Sequence, residues 1–162
     1  MTISIKFKSV LAALLVGAVG LANAAGDAVS GTPEEAVALV KKAIVYYKAN
    51  GREKMAAEIN NHSPQFREKD LYLFISPVVA GPVYAHGANP KLVGRTLDDL
   101  RDVDGVYFTR KFREVASSKE GKGWVDYKWP NAKSGQMEPK STYVERVDDL
   151  YFACGVYKGT AK

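Results

Sequence analysis

The hydrophobic pattern of the chain changes near residue 70. Before that point apolar positions recur at helical spacing: Val37, Val40, Ile44 and Tyr47 form a stripe, Ala36 and Ala43 lie beside it, and Lys41, Lys42 and Lys48 take the other side. Thr32-Pro33-Glu34-Glu35 supplies a helix start, with Thr32 as N-cap, Pro33 tolerated at N1 and Glu35 at N3 closing a capping box. Asn50-Gly51 is a stop, and residues 54–60 predict another turn or two of helix before Asn61-His62-Ser63-Pro64 ends it. The domain should therefore open with one long helix, or two in series.

From residue 70 the runs shorten and fill with β-branched and aromatic residues. Leu71–Ile75 suits a buried strand, and Pro77 interrupts it. Residues 78–86, turning at Gly81-Pro82, make the second half of an antiparallel pair. Residues 87–104 read as a loop with at most one helical turn, at 96–100. Val106–Ala116 reads as a short helix with Phe108, Phe112 and Val115 inward. Three strands follow, Gly123–Trp129, Ser141–Val147 and Leu150–Tyr157, joined by a hairpin loop at 131–139 and a tight turn at Asp148-Asp149. The order predicts an α+β domain: a long N-terminal helix packed on an antiparallel sheet of about five strands.

The first 24 residues have a third pattern. Lys6 and Lys8 precede an uninterrupted small and apolar run, Val10 to Leu21, and Ala22-Asn23-Ala24 follows. This is the order of a secretory signal, with cleavage expected after Ala24 and residues 25–162 as the domain. Twelve residues in a helix span roughly 18 Å, short of the roughly 30 Å hydrocarbon core of a bilayer. No cysteine marks a lipoprotein cleavage point, and no second apolar span follows. The expectation is a periplasmic or secreted protein without a direct membrane anchor.

Charge changes meaning in that light. The 162 residues carry 23 basic and 18 acidic side chains, a net +5. Without Lys6 and Lys8 the balance is 21 to 18, a net +3, and the remaining basic residues are mostly interleaved with acids. Lys41-Lys42 and Arg110-Lys111-x-Arg113 are the only small clusters and read as solvated helix faces, so no nucleic-acid partner is expected. The single cysteine, Cys154, excludes an intrachain disulfide. Among Phe152, Ala153 and Val156 it reads as a buried thiol or, alternatively, as one half of an intermolecular bridge.

No catalytic motif is present: there is no G-x-S-x-G, P-loop, G-x-G-x-x-G or H-E-x-x-H, and the chain is not read as an enzyme. His62 and His86 do not form a helical metal pair. Asp102-Val103-Asp104-Gly105 lacks the later ligands of a calcium loop and reads as a solvated acidic turn. No cofactor is expected. The informative residues are aromatic and polar, since seven of nine tyrosines fall between 72 and 157 together with both tryptophans and His86. Tyrosine lines an apolar wall while its hydroxyl donates a hydrogen bond, and with an inward cation such a set makes an anion pocket. Strand parity puts Val125, Tyr127 and Trp129 on one face and Trp124, Asp126 and Lys128 on the other. It also puts Lys140 and Tyr143 on opposite faces, unless a bulge intervenes.

Five segments in order carry a family resemblance. Tyr84-Ala85-His86-Gly87 through Gly94-Arg95 resembles the segment after the second strand of single Cache domains, and Asp102-Val103-Asp104-Gly105 their D-x-x-G turn. Gly121-Lys122-Gly123-Trp124-Val125-Asp126-Tyr127-Lys128-Trp129-Pro130 is similar to their G-x-G-W-x-x-Y-x-W-P segment. Pro139-Lys140-Ser141-Thr142-Tyr143-Val144 is similar to P-K-x-x-Y-V, and Gly155-Val156-Tyr157 to the closing G-x-Y. The resemblance implies an extracytoplasmic sensor domain with a PAS-like sheet. It also implies a pocket for a small organic acid such as acetate, propionate, pyruvate or lactate, lined by His86, Tyr107, Trp124, Tyr127, Lys140 and Tyr143. In that picture Lys140 supplies charge, the tyrosines and His86 donate, and Trp124 excludes water. The protein would present its ligand to a separate membrane receptor or transporter, with a homodimer as a further partner. The alternative is a protein-interaction module that keeps the fold without a ligand and works through surface contact, as a dimer along the long helix.

Overall fold

The computed structural model describes residues 30–131 and 133–159. The predicted leader and its cleavage point lie outside the described residues. Helix α1 spans Pro33–Asn50, and the predicted cap is present: the Thr32 hydroxyl accepts from the Glu35 amide while the Glu35 carboxylate accepts from the Thr32 amide. Ala36, Leu39, Val40, Ala43 and Ile44 are its buried positions. At Gly51, φ is +84°, a conformation that favours glycine, and the chain restarts as α2, Arg52–Asn60. The two-helices-in-series reading holds.

The strands are β1 (Arg67–Glu68), β2 (Leu71–Pro77), β3 (Ala85–His86), β4 (Lys122–Pro130), β5 (Met137–Val147) and β6 (Leu150–Tyr157), with α3 (Phe108–Ser117) between β3 and β4. The sheet is antiparallel in the order β1-β2-β6-β5-β4, and β3 pairs with the outer edge of β2. Among the described residues, four long strands and two two-residue strands thus stand where about five were expected. Asp148, at φ +54°, makes the tight turn between β5 and β6.

Two boundaries depart from the sequence reading. The expected strand over 78–86 shrinks to Ala85–His86, because the stretch around Gly81-Pro82 bonds elsewhere. The Val78 amide donates to Asp149, and the Val83 amide and carbonyl pair with Arg95 and Gly94 of the following loop. Strand β5 begins at Met137 and runs through Pro139 instead of starting at Ser141. The β5–β6 ladder reaches only Lys140 opposite Tyr157, so proline's missing N–H falls beyond it.

Every residue of β2 is buried because both faces of the sheet are covered. Leu71, Leu73 and Ile75 pack under α1 and α2 together with Phe152, Leu150 and Tyr143. Tyr72 and Phe74 turn to the other face, where they meet Phe108 and Phe112 of α3 with Val125, Tyr127 and Tyr151. Burying each such large apolar side chain contributes about 1.5–3 kcal/mol. Among the described residues no helix is long and apolar enough to cross a membrane.

Candidate functional site: a cavity between α3 and the sheet

The second core is not completely filled. A cavity of about 30 Å³ lies between the sheet, α3 and the loop after β3. Its wall is aromatic, with Phe74 from β2, Phe108 and Phe112 from α3, and Tyr127 and Trp129 from β4. Phe108 stacks on Tyr127 at 4.7 Å between ring centroids, and Phe112 meets Tyr127 edge-on at 5.4 Å. Leu92 and Leu97 come over it from the loop.

Polar groups collect at two places. At the first, Tyr72, His86 and Tyr127 reach the cavity, and Lys140 stands behind Tyr72. Lys140 is fully buried, and its Nζ donates to the Tyr72 hydroxyl at 2.6 Å. The ammonium also lies 4.0 Å and 4.4 Å from the ring centroids of Tyr72 and Tyr157. Its stem runs over Gly155, where an added Cβ would fall 2.3 Å from Lys140 Cε and Thr142 Oγ1. No carboxylate bonds it among the described residues, and burial lowers its pKa to about 7. The Tyr127 and Thr142 hydroxyls are 3.1 Å apart, and burial pushes Tyr127 upward, so the phenol is a neutral donor at neutral pH.

His86 is fixed from several sides. Asn60 of α2 accepts from the His86 amide at 3.1 Å, holding β3 to the helix layer. The imidazole Nδ1 accepts from the backbone amides of Asn89, at 2.9 Å, and Ala88, at 3.3 Å. That network assigns the ring proton to Nε2. The ring lies 5.3 Å from Tyr72 and stacks 5.7 Å from Phe74. Burial first, and the nearby Lys140 charge second, lower its pKa to about 4, so it is a neutral N–H donor over the ordinary pH range.

At the second place, Ser76, Asp98, Arg113 and Tyr151 line the cavity. Arg113 Nη1 donates to Asp98 Oδ1 at 2.6 Å, with only 18% and 24% of the two side chains exposed. Ser76 and Tyr151 are cross-strand partners on β2 and β6. Burial raises Tyr151 to about 12; Ser76, bonding to it, and the nearby Arg113 pull the other way, and Asp98 pushes up again. All four groups therefore share one neighbourhood.

The six residues expected at the site separate. His86 and Tyr127 line the cavity, and Lys140, the cross-strand partner of Tyr127, stands one side chain behind it. The strand is regular, so Tyr143 lies on the opposite face, where its hydroxyl donates to Glu145 at 2.7 Å. Trp124 is the partner of Tyr143 and packs 5.4 Å from it, 40% exposed, away from the cavity. Tyr107 sits just before α3 with its ring between Arg110, at 4.2 Å, and Arg101, at 5.4 Å, and it too is outside the cavity. Strand parity, more than motif proximity, decides membership.

The sequence reading missed Tyr72, Ser76, Asp98 and Tyr151, and it placed Arg113 on a solvated face. Arg110 and Lys111 are exposed, but Arg113 turns inward one helical turn after Thr109. The usable signal was the i, i+4 repeat of Phe108/Phe112 with Thr109/Arg113 beside it. In β2 the alternation that would mark Tyr72, Phe74 and Ser76 is hidden, because both faces are buried.

Asp102, expected in a solvated acidic turn, is held by backbone amides. Its Oδ1 accepts from the Asp104 and Val106 amides and its Oδ2 from the Lys128 amide on the β4 edge, at 2.8–3.0 Å. The D-x-x-G turn is thus a clasp joining the covering loop to the sheet.

A sheet buried on both faces, with a small polar-and-aromatic cavity on the α3 side, is an α+β fold with room for a small molecule between one helix layer and the sheet. A family model described as a Cache domain matches residues 34–158, and this chain belongs to that family. Its fold is similar to that of three solved structures at 20–21% identity. A methyl-accepting chemotaxis protein from Vibrio parahaemolyticus RIMD 2210633 aligns with a TM-score of 0.65 over 76% of this chain and 86% of its own. A Cache chemosensory domain described for carboxylic acid recognition gives 0.66, over 78% and 92%. The periplasmic sensor domain of a chemotaxis protein gives 0.61, over 78% and 90%.

Proposed function

We propose that this Cache sensor domain binds a short-chain carboxylate in the cavity between α3 and the sheet. The observation that carries the reading is that three neutral polar side chains, Tyr72, Tyr127 and His86, line the cavity in front of one buried lysine that has no carboxylate partner among the described residues. A carboxylate entering there accepts from these donors, and its charge favours the ammonium form of Lys140 through the Tyr72 hydroxyl. The ion is thereby paired on both sides, which is the condition for burying it. A cavity of about 30 Å³ suits a small occupant, since a single water needs roughly 10–15 Å³. Acetate and propionate are the natural first candidates, with pyruvate and lactate next. The carboxylic acid recognition described for a Cache domain of the same fold supports the same class.

In this proposal residues 1–24 direct export, cleavage follows Ala24, and the domain works in the periplasm or outside the cell. It passes ligand occupancy to a membrane receptor or transporter. The test is thermal unfolding of the cleaved protein with each of the four acids. A ligand at 100 times its Kd should add about 2.7 kcal/mol of stability and raise the midpoint by several degrees. Lys140→Met and Tyr127→Phe should abolish or sharply weaken that shift while the free variants still unfold cooperatively. A midpoint unmoved by all four acids would sink the reading and favour the interaction module without a ligand.

A further inference from the structure

The second polar group of the cavity has no role in holding a carboxylate at Tyr72, Tyr127 and His86. It contains an ion pair, Asp98–Arg113, made through a single contact, Nη1 to Oδ1 at 2.6 Å, where a guanidinium and a carboxylate can make two. The remaining guanidinium N–H groups and Asp98 Oδ2 have no partner among the described residues. Ser76 and Tyr151 add two hydroxyls on the facing strands, and both line the same cavity. The aromatic ring of Phe74 stands between the two places, 5.7 Å from His86 and 6.5 Å from Tyr151. An unsubstituted fatty acid held by its carboxylate at the first place directs its hydrocarbon end toward the second. There it takes water from Asp98 and Arg113 and returns no hydrogen bond. A hydroxyl in that position donates to Asp98 and accepts from Arg113 or a neighbouring hydroxyl, satisfying both of its functions.

Resting on the carboxylate reading above, we propose that the Asp98–Arg113 pair, with Ser76 and Tyr151, is a specificity device that selects hydroxy-substituted short carboxylates over their unsubstituted counterparts. The pair is the right chemistry for a neutral donor–acceptor group: its two charges cancel, so it adds no second demand for an anion. The pair also ties the covering loop to α3.

The experiment is calorimetric titration of the cleaved protein with propionate, lactate, 3-hydroxypropionate and alanine. At least one hydroxy acid should bind about tenfold or more tightly than propionate, the size of one hydrogen bond to a charged group. In Asp98→Asn and in the near-isosteric Tyr151→Phe, the ratio of the two affinities should narrow. The ratio is read within each folded variant, so a general loss of stability does not imitate it, and either variant suffices if the other does not fold. Propionate binding as tightly as both hydroxy acids would overturn the proposal while leaving the carboxylate reading intact. Alanine binding more tightly than either hydroxy acid would overturn it in favour of an amino acid ligand. A full-sized preference surviving in both variants would remove these residues from the role. No binding by any of the three acids lacking an amine would defeat this proposal, and the carboxylate reading falls with it when acetate and pyruvate fail as well.

Discussion

Lys140 is fully buried with one hydrogen bond, to a tyrosine, and two aromatic faces for company. A group so placed opposes folding of the free protein, and the sign of its pH dependence follows from its pKa. The folded value, about 7, lies below the ordinary 10.5. Between those values the unfolded chain holds a proton that the folded one lacks, so stability contributed at this position rises with pH from about 7 to about 10.5. Below 7 the penalty is constant and full. Lys140→Met should therefore stabilise the ligand-free protein, by about 2 kcal/mol or more at pH 6 and by less at pH 9. Urea midpoints at the two pH values check this, and a destabilised variant at pH 6 would contradict it. His86 was legible as a donor from its motif. Its tautomer was not, because the two amides that fix it belong to Ala88 and Asn89 in a loop whose path only the fold decides.

At the scale of elements, β6 accommodates the lysine because Gly155 has no side chain. Gly155→Ala would place a Cβ 2.3 Å from both Lys140 and Thr142. It should destabilise by about 1–3 kcal/mol through overpacking and weaken carboxylate binding more than a remote variant of equal stability, a comparison made by chemical unfolding and titration together. The clasp at Asp102 is the corresponding feature of the covering loop. Burial raises its pKa, but the amides of Lys128, Val106 and Asp104 outweigh this and leave the net shift downward. Its contribution is present above the ordinary carboxylate pKa and is lost as pH falls through the lowered value. Asp102→Ala leaves those amides without their acceptor and should cost about 1–3 kcal/mol, with faster hydrogen exchange at the Lys128 amide as the local readout. The sequence identified this turn by its pattern, while the turn's function as a bond between loop and edge strand required β4 to be in place.

Across the described residues, one sheet separates two cores: α1 and α2 cover one side, and α3 with its loop covers the other, where the candidate cavity lies. Ligand and proton are coupled through the second side. A bound carboxylate favours the Lys140 ammonium, so affinity for propionate should fall as pH rises from 7 to 9 and should be flat over that range in any Lys140→Met protein that retains residual binding. Titration at three pH values decides it, and a wild-type affinity that rises with pH would contradict the assigned cation. The capped first helix, the closing meander and the family itself were readable from local pattern, because caps, turns and alternation involve residues a few positions apart. Parity alone already separated Tyr127 from Trp124 and Lys140 from Tyr143. What only the tertiary structure decided was which face holds the cavity and which distant residues complete it. Tyr72 meets Lys140 across 68 positions and Asp98 meets Arg113 across 15. In β2, burial on both faces erased the alternation that would have announced Tyr72 and Ser76, and the inward turn of Arg113 depends on a loop that carries no periodicity of its own.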